Sequence, residues 1–161
     1  MAKPSRNSSP VAVEEPERTF FVTSTASGSK AVLQSDRMAG LLIDVLRCYV
    51  SASKFVVHDF VVMPSHLHVL ITVGREMSIE KAVQLIKGNF SYRAKKELGV
   101  HGEIWQRGFS EVRIMDRSSF LKHRRYIDNN PVKAGLAVSP GDYPYGSAFF
   151  RARKVAAAKA V

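Results

Sequence analysis

Two histidines lie one residue apart within an otherwise apolar segment, FVVMPSHLHVL at residues 60–70. Residues 66–73 have the composition of a strand, and in a strand residues i and i+2 share a face. His66 and His68 therefore point the same way and could together chelate one divalent metal ion, because neutral imidazole is a common metal ligand. Buried histidines satisfied by hydrogen bonds also occur at this spacing, so the motif alone leaves both interpretations open.

A second cluster lies in FLKHRRYIDNNPVKAGL at residues 120–136. Tyr126 and Asn130 are four residues apart, which places them on one face of a helix that continues that far. Positive charge surrounds the tyrosine at Lys122, Arg124 and Arg125. Such charge suits a phosphate substrate. The alternative is a surface helix whose tyrosine packs against a sheet and whose Asn-Pro step ends the helix.

Composition narrows the class of protein. The 161 residues fit one domain, and 24 Lys+Arg against 14 Asp+Glu give a net charge of +10. This charge favours a polyanionic partner, most simply nucleic acid. The single cysteine, Cys48, excludes an internal disulfide. The sequence has no apolar run long enough for a membrane span and no signal-peptide pattern at the N-terminus, so we expect a cytoplasmic protein without membrane contact.

The hydrophobic pattern predicts the element order β, α, β, β, α, β, α. The predicted elements are a strand at 18–27, a helix after Ser35, strands at 54–63 and 66–73, a helix from Ser78 to about Leu98, a short strand within 104–114 and a helix from about 118 to 129 limited by Pro131. This spacing predicts an α+β fold with a ferredoxin-like antiparallel sheet and helices packed on one face. We expect a disordered N-terminal tail (1–17), one domain (18–150) and a basic C-terminal tail (151–161), either a frayed helix or a disordered arm.

Several segments, taken in order, resemble the single-tyrosine HUH transposases, in particular the REP-associated tyrosine transposases and their insertion-sequence-200-like relatives. The matching segments are VVMPSHLHVLI at 61–71, IWQRGF at 104–109 and YIDNNPVKAGL at 126–136, with YPYGS at 143–147 similar to the closing aromatic-Ser segment of the family. The resemblance covers about residues 18 to 150. His-Leu-His alone is a weak motif, but the ordered set is specific.

The resemblance implies metal-dependent cleavage and rejoining of single-stranded DNA, on hairpin repeats, through a 5′-phosphotyrosine intermediate. His66 and His68 would be paired ligands of Mg²⁺ or Mn²⁺, and Tyr126 the nucleophile. Asn130 stands where relatives carry a third polar ligand, often Gln. After Phe109 this chain has SEV where many relatives have an aromatic residue and an Asp-His-like pair. This hypothesis requires the tyrosine helix to lie over the sheet face of the histidines. A homodimer and a monomer both stay open.

Basic side chains could follow the DNA phosphates. The candidates are Lys87, Arg93, Lys95, Arg107, Arg113, Arg124 and Arg125. Trp105 and Phe109 could stack on an unpaired base, although Trp105 could equally be a core anchor. Two other functions stay open: a non-catalytic nucleic-acid-binding protein that retains the fold, and a hydrolase using a metal-bound water, for which Asp59 is a spare carboxylate.

Overall fold

The computed structural model describes residues 17–160. Its strands are β1 (Glu17–Thr25), β2 (Val56–Met63), β3 (His66–Gly74) and β4 (Ser110–Ile114), and its α-helices are α1 (Asp36–Ser51), α2 (Ile79–Leu98), α3 (Arg117–Lys133) and α4 (Ser147–Lys159). The predicted disordered tail at 1–17 lies outside the described residues, except for Glu17, which begins β1. None of the helices within residues 17–160 combines the length and apolarity that a membrane crossing requires.

The strands form one antiparallel sheet in the order β2-β3-β1-β4. α1 connects β1 to β2 and α2 connects β3 to β4, so the two central strands, β1 and β3, each precede a crossover helix. This arrangement is the ferredoxin-like α+β fold that the element order predicted. The β1–β3 register places Thr23 opposite His68 and Thr25 opposite His66.

The main core lies between α1, α2 and one face of the sheet. Phe20 and Val22 of β1 alternate with outward-facing neighbours, and Leu67 and Val69 of β3 join them in the same cluster. Ser35 caps α1 by accepting a hydrogen bond from the backbone N–H of Met38. Ser78 caps α2 in the same way, through the N–H of Lys81. The expected packing of helices on one face is thus observed for α1 and α2.

The second face of the sheet carries α3, so helices cover both sides. Asp116 caps α3 by accepting a 2.7 Å hydrogen bond from the N–H of Ser119. Ile127 of α3 is 1% exposed and belongs to a smaller core with Val61 and Leu70, against which Phe21 packs. Phe21, Val61 and Leu70 point away from α1 and α2, on the same face of the sheet as the two histidines.

The end of α3 differs from the sequence-based expectation, whereas β4 agrees with it. The prediction that Pro131 limits α3 is wrong, because the helix continues to Lys133. Pro131 lies in the last turn, where its missing N–H removes one hydrogen bond near the helix end, and its ring is buried. β4 lies within the segment 104–114 where a short strand was predicted, and Trp105 forms an isolated bridge with Ala26 before the strand begins.

The predicted C-terminal tail is largely helical. α4 begins at Ser147 and continues to Lys159, so the boundary expected between residues 150 and 151 falls inside a helix. The segment before α4 covers the outer edge of β2, where the Val62 N–H donates to the carbonyl of Tyr145 at 2.8 Å. Arg151 on α4 makes ion pairs with Asp59 of β2 and Asp128 of α3. This end of the chain is therefore attached to the sheet.

The packing of α3 can be tested at its buried centre. Ile127→Ala removes side-chain volume at a position that is 1% exposed, and we expect it to lower the free energy of unfolding by about 2–5 kcal/mol. Val138→Ala is the matched control, because Val138 is 92% exposed and its truncation should change stability by less than about 0.5 kcal/mol. Urea denaturation followed by circular dichroism measures both. Equal stabilities for the two variants would contradict the observed packing.

Candidate active site

α3 runs along β3, which brings the two sequence clusters together. The Tyr126 ring lies against His68, and the side chain of Asn130 lies beside His66. Four residues of helix advance about 6 Å and two residues of strand advance about 6.6 Å. Tyr126 on the helix can therefore lie against His68 on the strand while Asn130 lies against His66.

The rings of the two histidines and the tyrosine form one cluster. The ring centroids of His66 and His68 are 4.5 Å apart, and those of His68 and Tyr126 are 5.3 Å apart, with Tyr126 edge-on. Tyr126 is 46% exposed, so a substrate can reach it from solvent. The tyrosine helix thus lies over the histidine face of the sheet, as the strand-cleavage hypothesis requires.

His68 is buried, and within residues 17–160 only one of its ring nitrogens has a hydrogen-bond partner. A 2.8 Å hydrogen bond joins its Nδ1 to Oγ1 of Thr23 on the adjacent strand. Nε2 is also buried, and within residues 17–160 it has no hydrogen-bond partner. Burial, with a smaller contribution from neighbouring His66, lowers the pKa of His68 to about 3, so its imidazole is neutral at physiological pH. The tautomer in which Nδ1–H donates to Thr23 leaves a lone pair on Nε2, as metal ligation requires.

His66 lies closer to solvent than His68 and has polar neighbours on both sides. Its Nδ1 is 3.1 Å from Oγ of Ser65, in the turn between β2 and β3. Burial lowers the pKa of His66, and the amide oxygen of Asn130, as a nearby acceptor, opposes this shift. Two neutral imidazoles and one amide therefore converge at this end of the sheet.

Phe21 forms the floor on which these rings rest. It stacks on His68 with centroids 5.3 Å apart and meets the edge of Tyr126 at 5.8 Å. It also contacts the ring of His123, one turn before Tyr126 on α3, at 4.8 Å. Aromatic contacts at these distances favour defined relative orientations. Phe21 thus constrains both the tyrosine and the histidine from below.

The site offers three ligands of mixed type. Residues 17–160 contain no group of three or more His, Cys, Asp or Glu side chains that could hold a metal ion together. A third ligand beside His66 and His68 would be the amide oxygen of Asn130. Asp59, the spare carboxylate of the hydrolase hypothesis, is buried and forms ion pairs with Arg124 and Arg151. It is therefore committed to other partners.

Four of the predicted DNA-binding cations make intramolecular contacts. Arg93 bridges Asp44 of α1 at 2.7 Å and Glu97 at 3.2 Å. Arg113 lies over the ring of Phe20, on the sheet face of α1 and α2. The other two intramolecular contacts are those of Lys87, which donates to the carbonyls of Gln106 and Gly108 at 2.9 and 2.8 Å, and of Arg124, paired with Asp59. Burial lowers the pKa of Lys87. The remaining three candidates, Lys95, Arg107 and Arg125, are exposed.

The two aromatic residues proposed for base stacking differ in environment. Trp105 is 9% exposed and meets the ring of Phe90 on α2 with centroids 5.6 Å apart, which is the packing of a core anchor. Phe109 is half-buried and borders an open groove of about 410 Å³ beside α2. The indole of Trp105 therefore stabilises the fold, although one side of it also lines this groove, and Phe109 is the more exposed of the two.

Sequence reasoning did not identify the residues that support the histidines. Thr23 holds the Nδ1 of His68, Ser65 contacts His66, and Phe21 lies beneath the rings. Alternation along β1 places Phe21 and Thr23 on one face, which was the available signal. The β1–β3 register, which decides that this face is the one with the histidines, is not readable from the local sequence.

The sequence is similar to members of a transposase family. A sequence model of the family described as "Transposase IS200 like" matches residues 21–130. A Haemophilus influenzae protein named as a REP-associated tyrosine transposase is 28% identical over 134 residues, covering 72% of this chain and 76% of the relative. An uncharacterised protein of the same organism is 28% identical over 98 residues, covering 47% of this chain and 54% of that protein, so the match spans about half of its length.

Solved structures share the fold. A structure described as a REP-associated tyrosine transposase bound to a REP hairpin matches with a TM-score of 0.69 at 23% identity, covering 87% of this chain and 82% of that one. A crystal structure described as a transposase from Deinococcus radiodurans matches with a TM-score of 0.54 at 19% identity, covering 75% and 96%. Because the family model spans more than half of the chain, this protein belongs to the IS200-like transposase family.

Proposed function

We propose that this protein cleaves and rejoins single-stranded DNA at hairpin structures, with Tyr126 as the nucleophile. The observation that carries the proposal is the position of the exposed Tyr126 ring, 5.3 Å from the ring of a histidine whose buried Nε2 has no partner within residues 17–160. Membership of the transposase family supports DNA as the substrate, and the relative bound to a REP hairpin supports a hairpin as its form.

The reaction is a phosphoryl transfer in two directions. The phenol oxygen of Tyr126 attacks the scissile phosphorus, a phosphorus–oxygen bond forms to the tyrosine, and the bond to the 3′ oxygen breaks. The phenol proton passes through solvent to the departing 3′ hydroxyl, and the 5′ end stays attached as a phosphotyrosine. A 3′ hydroxyl then reverses the step at a new junction. The covalent bond conserves the energy of the phosphodiester, so rejoining needs no ATP.

The residues present fit a divalent metal ion, Mg²⁺ or Mn²⁺. His66, His68 and Asn130 would hold it, and such an ion would explain why the buried Nε2 of His68 has no hydrogen-bond partner within residues 17–160. When bound, the ion would supply Lewis-acid polarisation of the scissile phosphate. Two imidazole donors should favour the softer Mn²⁺ over Mg²⁺ more than a site made only of oxygen ligands would. In the tautomer whose Nδ1–H donates to Thr23, that threonine has the usual role of a hydrogen-bond partner behind a histidine ligand.

The basic surface supports binding of the DNA backbone. Lys95, Arg107 and Arg125 are exposed, and the chain carries a net charge of +10. Arg125 immediately precedes Tyr126 on α3, so of these candidates it is the nearest in sequence to the proposed nucleophile. Cations that neutralise phosphates release counterions, and binding should weaken as salt rises. The other four predicted cations contribute mainly to the fold, through the intramolecular contacts described above. They are Lys87, Arg93, Arg113 and Arg124.

The covalent step tests the proposal. We expect wild-type protein incubated with labelled single-stranded hairpins and Mn²⁺ to give a protein–DNA adduct on a denaturing gel, and Tyr126→Phe to give none, because the phenol oxygen is the attacking atom. Tyr92→Phe is the matched control, since Tyr92 is 62% exposed on α2, and its adduct yield should equal that of the wild type. An equal adduct from Tyr126→Phe, or salt-dependent binding without any adduct across a broad set of hairpins, would leave a non-catalytic DNA-binding protein as the better account.

The metal site has a test that needs no DNA. We expect titration with Mn²⁺, followed by the electron paramagnetic resonance signal of the free ion, to show one site per chain. Loss of a ligand in His68→Ala should weaken this site by about tenfold or more. His101→Ala is the control, because His101 is exposed in the loop after α2 and should bind as the wild type does. Unchanged Mn²⁺ affinity in His68→Ala would remove the histidine pair from the proposed role.

A further inference from the structure

An ion network built on one buried carboxylate connects β2, α3 and α4 on the side of α3 away from the tyrosine. Asp59 of β2 is 0% exposed and accepts hydrogen bonds from Arg124 Nε at 2.7 Å and from Arg151 Nη1. Ser147 at the start of α4 donates to the same carboxylate at 3.2 Å. The other terminal nitrogen of Arg151 binds Asp128. We call Asp59, Arg124, Asp128 and Arg151 the ion quartet; their charges alternate and sum to zero.

The quartet and the candidate active site occupy opposite flanks of α3. Arg124 and Asp128 are one turn apart, and so are Tyr126 and Asn130. At about 100° per residue, Tyr126 is about 200° around the helix from Arg124. One flank therefore faces β2 and α4 through ion pairs, and the other faces β1 and β3 through Phe21 and the histidines.

We propose that the ion quartet sets the rotation of α3 about its axis and so positions Tyr126 over the histidines; this inference rests on the proposed function of Tyr126. A helix with its side chains is about 10–12 Å in diameter, so a rotation of about 10° moves a side-chain tip by about 1 Å. A misplacement of about 1 Å at a reacting group can cost about 10²-fold in rate. The four residues are positioning residues, and α4 becomes part of the catalytic domain.

Phe21 orients the tyrosine on one flank of α3, but the buried aliphatic contact of the helix does not supply this constraint. Burial of Ile127 holds the helix on the sheet, but hydrophobic attraction is non-directional and tolerates small rotations. The guanidinium of Arg151 contacts Asp59 and Asp128 through two different nitrogens, which fixes directions as well as distances. A rotation of α3 would shift Arg124 and Asp128 together relative to Asp59 and Arg151. The quartet therefore resists the motion that would displace the tyrosine.

The test compares Arg151→Gln with Arg153→Gln on the same helix. Both remove one positive charge from α4, but Arg153 lies over the exposed side of Phe149 and takes no part in the quartet. Single-turnover adduct formation on a hairpin, measured well below the melting temperature, should be about tenfold slower or more in Arg151→Gln and unchanged in Arg153→Gln. The nuclear Overhauser contact between the rings of Tyr126 and His68 should weaken in Arg151→Gln alone.

Each outcome bears on the proposal. A folded Arg151→Gln protein with the wild-type rate, or with a slow rate but an undiminished ring contact, overturns it. Should Arg151→Gln fail to fold, Asp128→Asn removes only the outer ion pair and should show the same two changes in smaller measure; no change in either overturns the proposal. Absence of an adduct in the wild type is a failure of the proposed function instead, and the ring contact then still decides whether the quartet positions Tyr126.

Discussion

The contact between α3 and the sheet face of β1 and β3 decides whether one tyrosine and two histidines can act on the same phosphate. Phe21 lies at the centre of that contact, against His68, His123 and Tyr126. The ferredoxin-like topology makes this possible because α1 and α2 both cover the other face, which leaves the histidine face free for a third helix. The fold thus places the larger core on one face of the sheet and the candidate site, beside a smaller core, on the other.

The environment of His68 has an energetic cost that the fold does not recover within its described residues. A buried polar group without a partner costs about 1–3 kcal/mol, and Nε2 is such a group among residues 17–160. A histidine with a purely structural role would be expected to bond through both nitrogens. The depressed pKa keeps the ring neutral, and a neutral ring whose Nδ1–H donates to Thr23 has its Nε2 lone pair available to a ligand. The unpaired Nε2 therefore lowers the stability of the described fold, and the same nitrogen is the one that could bind a ligand.

Periodicity in the sequence predicted much of the site, and long-range packing supplied the rest. Strand alternation placed His66 and His68 on one face, and the family resemblance identified the tyrosine that meets them. Local sequence could not reveal that Thr23 would lie opposite His68, because register depends on how distant strands pair. Nor could it show that Arg124 pairs with a buried carboxylate on another element. The end of α3 predicted from Pro131 was wrong, because burial of the proline ring outweighs the one hydrogen bond lost in the last turn.

The attachment point of the DNA tests the central claim most directly. Wild-type protein would be reacted with a single-stranded hairpin, the adduct digested with trypsin and nuclease, and the nucleotide-bearing peptide sequenced by tandem mass spectrometry. The expected result is a nucleotide linked through its 5′ phosphate to the phenol oxygen of Tyr126. A nucleotide on any other residue, or attachment through a 3′ phosphate, would contradict the account of the site as a tyrosine and a histidine pair converging on one phosphate.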